Sequence, residues 1–346
     1  MRKKDLYIYG IIQNDFAPDL FVELEEIGVY TIPYRNVSAV VTEMKRVDMK
    51  RLDKKTLARL LVNHQKTIEN VMKIGFSGII PLRLGTFSAS REEVKVILER
   101  GYDLINEIAQ KARNLIEVDI TSSWMNFPKL LQTISQDPEI LKQKEEIVSK
   151  KSSVTQADQL KLGLMVKNKI DEEKEKCAKS ILNFLQPFTV DYKSHEVMND
   201  EMVTNTAFMV EKARLDDFDT TLEQLDEAFN GEMNFKYIGP LPCYSFYTLE
   251  IKELKFEQVE EARNELGLSE CATSKEIKQA YHGKVKINHP DVNPEEKTTL
   301  SFNRLNKAYQ TLLDYAVAVR QSSQEDQLFF KREKVLENSL LVKIKE

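Results

Sequence analysis

Apolar positions in the first third of the chain follow two different periods. Strands place apolar residues at every second position, whereas helices place them at intervals of three and four. Strand patterns occupy residues 6–12, 29–34 and 37–44, residues 77–87 fit a buried strand and a turn, and helical patterns occupy 54–74 and about 90–112. Residues 1–113 are therefore predicted to form an N-terminal α+β domain, in which 29–34 and 37–44 pair as a hairpin around Arg35-Asn36.

A second α+β domain is predicted over residues 114–252. Its strand patterns occupy 116–124, 188–197, 203–213, 234–242 and 244–251, and its helical patterns occupy 137–186 and 216–229. The order β-α-β-β-α-β is that of a ferredoxin-like fold. The long helical stretch breaks at Ser152-Ser153, which predicts a helical hairpin inserted after the first strand.

The last third contains two amphipathic helical patterns. In 274–288, Ile277, Tyr281 and Val285 make an apolar stripe, while four other residues make a separate basic stripe. These four are Lys275, Lys278, His282 and Lys286. The following segment places Phe302, Leu305, Tyr309 and Leu312 on one face. Facing apolar stripes predict an antiparallel helical hairpin over this region.

The tip of that hairpin carries His289-Pro290-Asp291. Pro290 disfavours helical geometry at His289 and cannot continue the helix, so His289 and Asp291 are expected to face solvent. At the other end, Thr273 and Glu276 have the spacing of a capping box, which fixes where the basic helix begins.

Charge narrows the kind of partner. Residues 274–288 hold four Lys and one Glu, in a chain whose formal net charge is −5. A local basic face on an acidic chain suits an acidic protein partner, although such a face can also be merely solvated. Nucleic acid fits less well, because the patch is one helix long and the pI is about 5.7.

Composition is that of a globular protein of two or three domains, with 42% hydrophobic and 30% charged residues. The short apolar run at the start ends too early for a signal peptide, and no stretch approaches the roughly 18 apolar residues of a membrane span. The cysteines, Cys177, Cys243 and Cys271, form neither a disulfide framework nor a metal pattern. We expect a cytoplasmic protein with no membrane partner.

No enzymatic motif is present: the chain has no phosphate-binding glycine loop, CxxC, HExxH or GxSxG. His64 lies on the apolar stripe of the 54–74 helix, and we expect a buried, hydrogen-bonded imidazole rather than a catalytic one. The sequence predicts no catalytic residue, metal ligand or cofactor site, although a site assembled only by the fold stays open.

Residues 256–316 resemble the J-domain of DnaJ-type co-chaperones. The resemblance rests on LGL at 266–268, EIKQAY at 276–281, His289-Pro290-Asp291 and FNRLNKAYQTL at 302–312. It implies an all-α J-domain over 253–320 that binds a DnaK-type chaperone through these three loop residues and the basic stripe and stimulates its ATP hydrolysis. Gln279, His282 and Gly283 depart from the usual Lys or Arg, and Lys286 from a common apolar residue, which implies a weaker or purely docking domain.

The first 251 or so residues resemble the gas vesicle protein L/F (GvpL/GvpF) family. The stretches that carry the resemblance are YIYGII (7–12), SAVVTEM (38–44), NHQKTIENVMKIG (63–75), IIPLRLGTF (79–87), NTAFMVEKAR (205–214) and YIGPLPCYSF (237–246). Leu241 and Cys243 depart from the family pattern. The resemblance implies a non-enzymatic gas vesicle assembly factor or minor component. The implied partners are the major gas vesicle shell protein, a DnaK-type chaperone and other gas vesicle accessory proteins.

Two other functions stay open on the sequence alone. The chain could be a stoichiometric structural vesicle protein with a degenerate J-like docking module, or a co-chaperone for unrelated clients. The tail, residues 321–346, ends in NSLLVKIKE, whose alternation fits either a short strand pairing with a sheet edge or a disordered terminus.

Overall fold

The computed structural model describes residues 4–15, 18–76, 78–149, 154–288, 296–323 and 326–345. The chain forms two compact units, Met1–Lys111 with Tyr247–Glu346, and Ala112–Phe246. The sequence prediction divided the chain into four segments instead. Residues 247–252, which it placed at the end of the second domain, belong to the first unit, because their strand pairs with the C-terminal tail.

The first unit contains an antiparallel sheet of five strands. Its strands are β1 (Asp5–Gln13), β2 (Tyr30–Tyr34), β3 (Val37–Met44), β4 (Ile80–Pro81) and β5 (Phe87–Ser88). They lie in the order β2-β3-β1-β4, and β5 also pairs with β1. The predicted hairpin is confirmed, because β2 and β3 pair from Tyr30↔Val41 to Tyr34↔Val37.

The helices of this region are α1 (Pro18–Glu26), α2 (Lys54–Ile74), α3 (Arg91–Arg100) and α4 (Tyr102–Ala112). The sequence predicted α2 with these bounds, whereas α1 was not predicted. The single helix predicted over 90–112 is wrong, since the backbone leaves helical geometry at Gly101 (φ −86°, ψ 1°). A Cβ at that position would lie 2.7 Å from Val342 Cγ1, so the close approach of the tail requires glycine there.

In the second unit, the elements are β6 (Leu115–Trp124), α5 (Phe127–Ile134), α6 (Pro138–Ser149), α7 (Gln156–Leu185), β7 (Asp191–Ser194), β8 (Met202–Glu211), α8 (Leu215–Ala228), β9 (Met233–Leu241) and α9 (Tyr244–Tyr247). The antiparallel sheet has the order β7-β8-β6-β9. The strand predicted over 244–251 is wrong: it is split between the short helix α9 and a strand of the first unit.

A helical hairpin follows the first strand of the second unit, as predicted. Helix α6 packs on α7 through Ile140 and Ile170. Lys169 of α7 also lies 3.4 Å from the Asp137 carboxylate and 3.2 Å from that of Glu139. The predicted break at Ser152-Ser153 lies outside the described residues.

The C-terminal part of the first unit is mainly helical. Its elements are β10 (Leu249–Glu253), α10 (Phe256–Leu266), β11 (Cys271–Thr273), α11 (Ser274–Asn288), α12 (Glu296–Ser323), β12 (Gln327–Phe329), α13 (Arg332–Glu337) and β13 (Leu340–Ile344). An entirely helical domain was predicted, but β11 pairs with β12. This pair was missed because three-residue strands are too short to show a period.

The tail forms a strand, one of the two alternatives that the sequence left open. Strand β13 pairs antiparallel with β10, from Leu249↔Ile344 to Glu253↔Leu340. Leu341 and Val342 are fully buried, so burial of these two side chains favours the strand over disorder.

Candidate functional site

Helix α11 begins at the predicted capping box. Thr273 Oγ1 accepts a hydrogen bond from Glu276 N at 3.3 Å, and the Glu276 carboxylate accepts one from Thr273 N at 2.7 Å. The bonds that Thr273 N and Thr273 Oγ1 donate to the Glu276 carboxylate lower the pKa of Glu276. Two backbone donors that would otherwise lack partners are satisfied, and the register of the helix is thereby fixed.

The apolar face of α11 packs against α12. Ile277 is fully buried, and the Tyr281 hydroxyl donates a hydrogen bond to Asn306 Oδ1 at 2.6 Å. Near the start of α11, Ser274 Oγ accepts one from Arg320 Nη2 at 3.0 Å. Because Ser274 meets the end of α12 and Tyr281 meets a more N-terminal part, the two helices are antiparallel, as predicted.

The basic stripe lies on the exposed surface of α11. All four of its predicted members are exposed: Lys275, Lys278, His282 and Lys286. Within the described ranges, none of the three lysines pairs with a carboxylate. Lys284 belongs to another face, since its Nζ donates to the Glu265 carbonyl at 2.5 Å. The stripe therefore presents unpaired positive charge to solvent.

The loop residues His289, Pro290 and Asp291 lie outside the described residues. In chain order they fall between the end of α11 at Asn288 and the start of α12 at Glu296. Their role stays a prediction.

Comparison with known proteins gives two matches. Residues 5–248 match the family described as gas vesicle synthesis protein GvpL/GvpF, and residues 263–317 match the DnaJ domain. The first match covers more than half of the chain. The chain belongs to the GvpL/GvpF family. It also contains a DnaJ domain, to which α11 and most of α12 belong.

Individual proteins are similar to the GvpL/GvpF region and to the DnaJ domain. Gas vesicle protein F of Dolichospermum flosaquae is 25% identical over 248 residues, which cover 71% of this chain and 98% of that protein. The crystal structure of GvpF from Anabaena sp. PCC7120 matches with a TM-score of 0.60 at 22% identity, over 70% of this chain and 97% of that one. Chaperone protein DnaJ 1 of Aquifex aeolicus is 45% identical over 49 residues, 14% of each chain.

In the GvpL/GvpF part, His64 is buried and hydrogen-bonded, as predicted. Its Nε2 lies 3.1 Å from the Leu82 carbonyl, so this nitrogen must carry the proton. Its Nδ1 then accepts a bond from the Tyr7 hydroxyl at 2.9 Å, and Tyr7 Oη in turn accepts one from Gly85 N at 3.3 Å. Burial lowers the pKa of His64 to about 4 and raises that of Tyr7 to about 12. This chain of bonds joins α2 and β1 to the PLRLGT segment.

Sequence reasoning missed a buried acid that binds the GPLPCYSF segment. Glu117 of β6 is 1% exposed, and its carboxylate accepts hydrogen bonds from Ser245 N at 2.7 Å and Ser245 Oγ at 2.9 Å. Burial raises the pKa of Glu117, and the adjacent Asp119 carboxyl raises it further. The signal was present, because Glu117 and Asp119 alternate with apolar residues along a predicted strand.

Across the described ranges, no three His, Cys, Asp or Glu side chains come together as a set that could hold a metal ion. Among the helices of the described residues, none is long and apolar enough to cross a membrane.

Proposed function

We propose that this protein is a non-enzymatic gas vesicle assembly factor. Its GvpL/GvpF part binds the major shell protein, and its DnaJ domain recruits a DnaK-type chaperone. One observation carries the proposal: a capped, well-packed helix with an exposed basic stripe belongs to a DnaJ domain in a GvpL/GvpF chain.

Joining these two activities has a physical reason. The shell of a gas vesicle presents an apolar surface to gas, so free shell subunits expose apolar patches that favour aggregation. A factor that binds these subunits and brings an ATP-driven chaperone to them keeps them available for assembly. The place of action is the cytoplasm and the growing vesicle, and other accessory proteins are further partners.

Two parts of the DnaJ domain bind the chaperone, the basic stripe of α11 and the loop that follows it. The stripe defined by Lys275, Lys278, His282 and Lys286 steers an acidic partner and contributes contacts at the edge of the interface. His289, Pro290 and Asp291 make the central contacts at the hairpin tip. The packing of α11 against α12 holds the stripe in a fixed orientation on the hairpin.

The test uses the full-length chain with purified DnaK-type chaperone and shell protein. We expect His289→Gln to abolish stimulation of the chaperone ATPase and to leave shell-protein binding in a pull-down unchanged. Exposed His195, far from this loop in the sequence, gives the matched control His195→Gln, which should stimulate like the parent. If His289→Gln stimulates as well as the parent, the co-chaperone function is refuted.

A second function is favoured by the surface of α11. Gln279 and Gly283 replace residues that are usually basic, and both are exposed, so packing does not account for the change. The protein would then be a stoichiometric structural component with a docking module of reduced activity. Quantitative mass spectrometry of washed vesicles discriminates the two: abundant retained protein favours the structural role, and its absence favours a transient factor.

A further inference from the structure

A buried carboxylate joins α12 of the DnaJ domain to two strands that flank the domain. Asp314 of α12 is 3% exposed. Its Oδ2 accepts a hydrogen bond from Lys252 Nζ at 2.5 Å, and its Oδ1 accepts one from Lys343 Nζ at 3.1 Å. Burial alone would raise the pKa of Asp314, but these bonds lower it. Lys252 lies on β10 and Lys343 on β13, so one acid fixes three elements.

Strand β13 is held on both sides. One edge of β13 pairs with β10. The other edge is hydrogen-bonded by the Gln321 side chain of α12, in the place that a neighbouring strand would take. Val342 N donates to Gln321 Oε1 at 3.1 Å, and Gln321 Nε2 donates to the Val342 carbonyl at 2.6 Å. The Val342 side chain packs so closely on Gly101 that no larger residue fits there. Strand β13 thus contacts α12 and the α3–α4 junction at once.

Strand β10 is fixed to the GvpL/GvpF sheet in turn. Leu249 forms a parallel bridge with Leu82, the residue after β4, and its carbonyl accepts a hydrogen bond from Arg83 N at 2.8 Å. The Arg83 guanidinium also pairs with the Glu250 carboxylate. Since β10 precedes the DnaJ domain and β13 follows it, both ends of the domain are tied to the same part of the molecule.

We infer that the β10–β13 pair is a clamp that holds the DnaJ domain in one position on the GvpL/GvpF domain, with Asp314 and Lys343 as positioning residues. Both strands lie outside the two family matches, 5–248 and 263–317, so the clamp belongs to the junction of the two parts. The inference deepens the proposed function and rests on it.

The clamp leaves the proposed chaperone site open. The basic stripe of α11 is exposed, and the start of α12 at Glu296 lies 18 residues before Asp314, which is about 27 Å along the helix. A flexible tether would let a recruited chaperone sample many positions, whereas a clamped domain delivers it to one. The clamp therefore directs the chaperone to a client bound on the same molecule.

The test compares Lys343→Met with Lys345→Met in the full-length protein. Lys345 lies on the exposed end of the same segment and keeps its backbone bond to Thr248, which makes it a matched control. Gln321→Ala is a second variant, which removes the side-chain bonds to β13. For Lys343→Met and Gln321→Ala we expect hydrogen exchange in β10 to become about tenfold faster. Stimulation of the DnaK-type ATPase should stay at the parent level, while vesicle yield in cells falls severalfold.

Two results would overturn the clamp. In the first, both variants exchange and assemble vesicles like Lys345→Met. In the second, ATPase stimulation falls together with vesicle yield, which would make β13 a folding requirement of the DnaJ domain. His289→Gln in the same assays separates the two proposals: if it stimulates normally, the co-chaperone function fails, while the exchange rates still decide whether the clamp exists.

Discussion

Tyr281 of α11 stacks on Tyr309 of α12, with ring centroids 4.1 Å apart and ring planes at 9°. The stack lies where the two helices of the hairpin meet. Since Ile277 and Leu305 are buried beside it, the stack closes a continuous apolar seam. The orientation of the basic stripe relative to α12 depends on this seam.

Loss of the stack should loosen the hairpin. We expect Tyr309→Ala to destabilise the DnaJ domain by about 2 kcal/mol, because a half-buried ring and its aromatic partner are lost. Tyr309→Phe keeps the ring and should unfold like the parent. Denaturant unfolding measures the change in the free energy of unfolding, and equal stability of the alanine and phenylalanine variants would show that the stack contributes nothing.

The basic stripe should act through charge. We expect the double variant Lys275→Glu and Lys278→Glu to bind a DnaK-type chaperone more weakly at low salt, with a smaller difference at high salt, because exposed charges are screened. Lys307→Glu reverses an exposed lysine on α12 and is the control for a single charge reversal outside the stripe. Binding measured by titration calorimetry at two salt concentrations decides the point. Equal weakening by the control would indicate a general charge effect.

Burial of His64 should make stability depend on pH. Its folded pKa of about 4 lies below the ordinary 6.5, so protonation favours the unfolded chain. The contribution of neutral His64 to the free energy of unfolding is fully present above pH 6.5. It is lost as the pH drops towards 4, by about 3 kcal/mol in all. Replacement His64→Gln should remove this part of the pH dependence, measured by urea unfolding between pH 4 and 7. A pH profile unchanged by His64→Gln would show that burial of His64 does not cause the pH dependence of stability.

Interactions between neighbours in the chain were visible in the sequence. The capping box of Thr273 and Glu276 joins residues three apart, and the two stripes of α11 follow from helical spacing alone. The buried state of His64 was also predictable, because it lies on an apolar stripe. These features need no knowledge of how distant segments meet.

Interactions between distant segments were not visible. From the sequence, Lys252, Asp314 and Lys343 are ordinary charged residues that would be expected on exposed faces. Only the fold brings them together. The need for glycine at position 101 has the same origin, since Val342, which packs against Gly101, lies at the other end of the chain. Periodicity predicts which face of an element is apolar but not which element covers it.

The buried acid Glu117 should give the opposite pH dependence to His64. Its folded pKa lies above the ordinary 4.5, because burial and the Asp119 carboxyl disfavour its charge, so the folded chain holds a proton that the unfolded chain has lost. Stability therefore falls as the pH rises above about 4.5. In Glu117→Gln this fall should be smaller, so the stability of the variant relative to the parent improves between pH 5 and 8.

Exposed Glu223 on α8 gives the control Glu223→Gln, which should follow the parent. Parallel curves for parent and Glu117→Gln would mean that Ser245 and its two hydrogen bonds keep the carboxylate charged throughout, and that the GPLPCYSF segment is held by an ionised rather than a neutral acid.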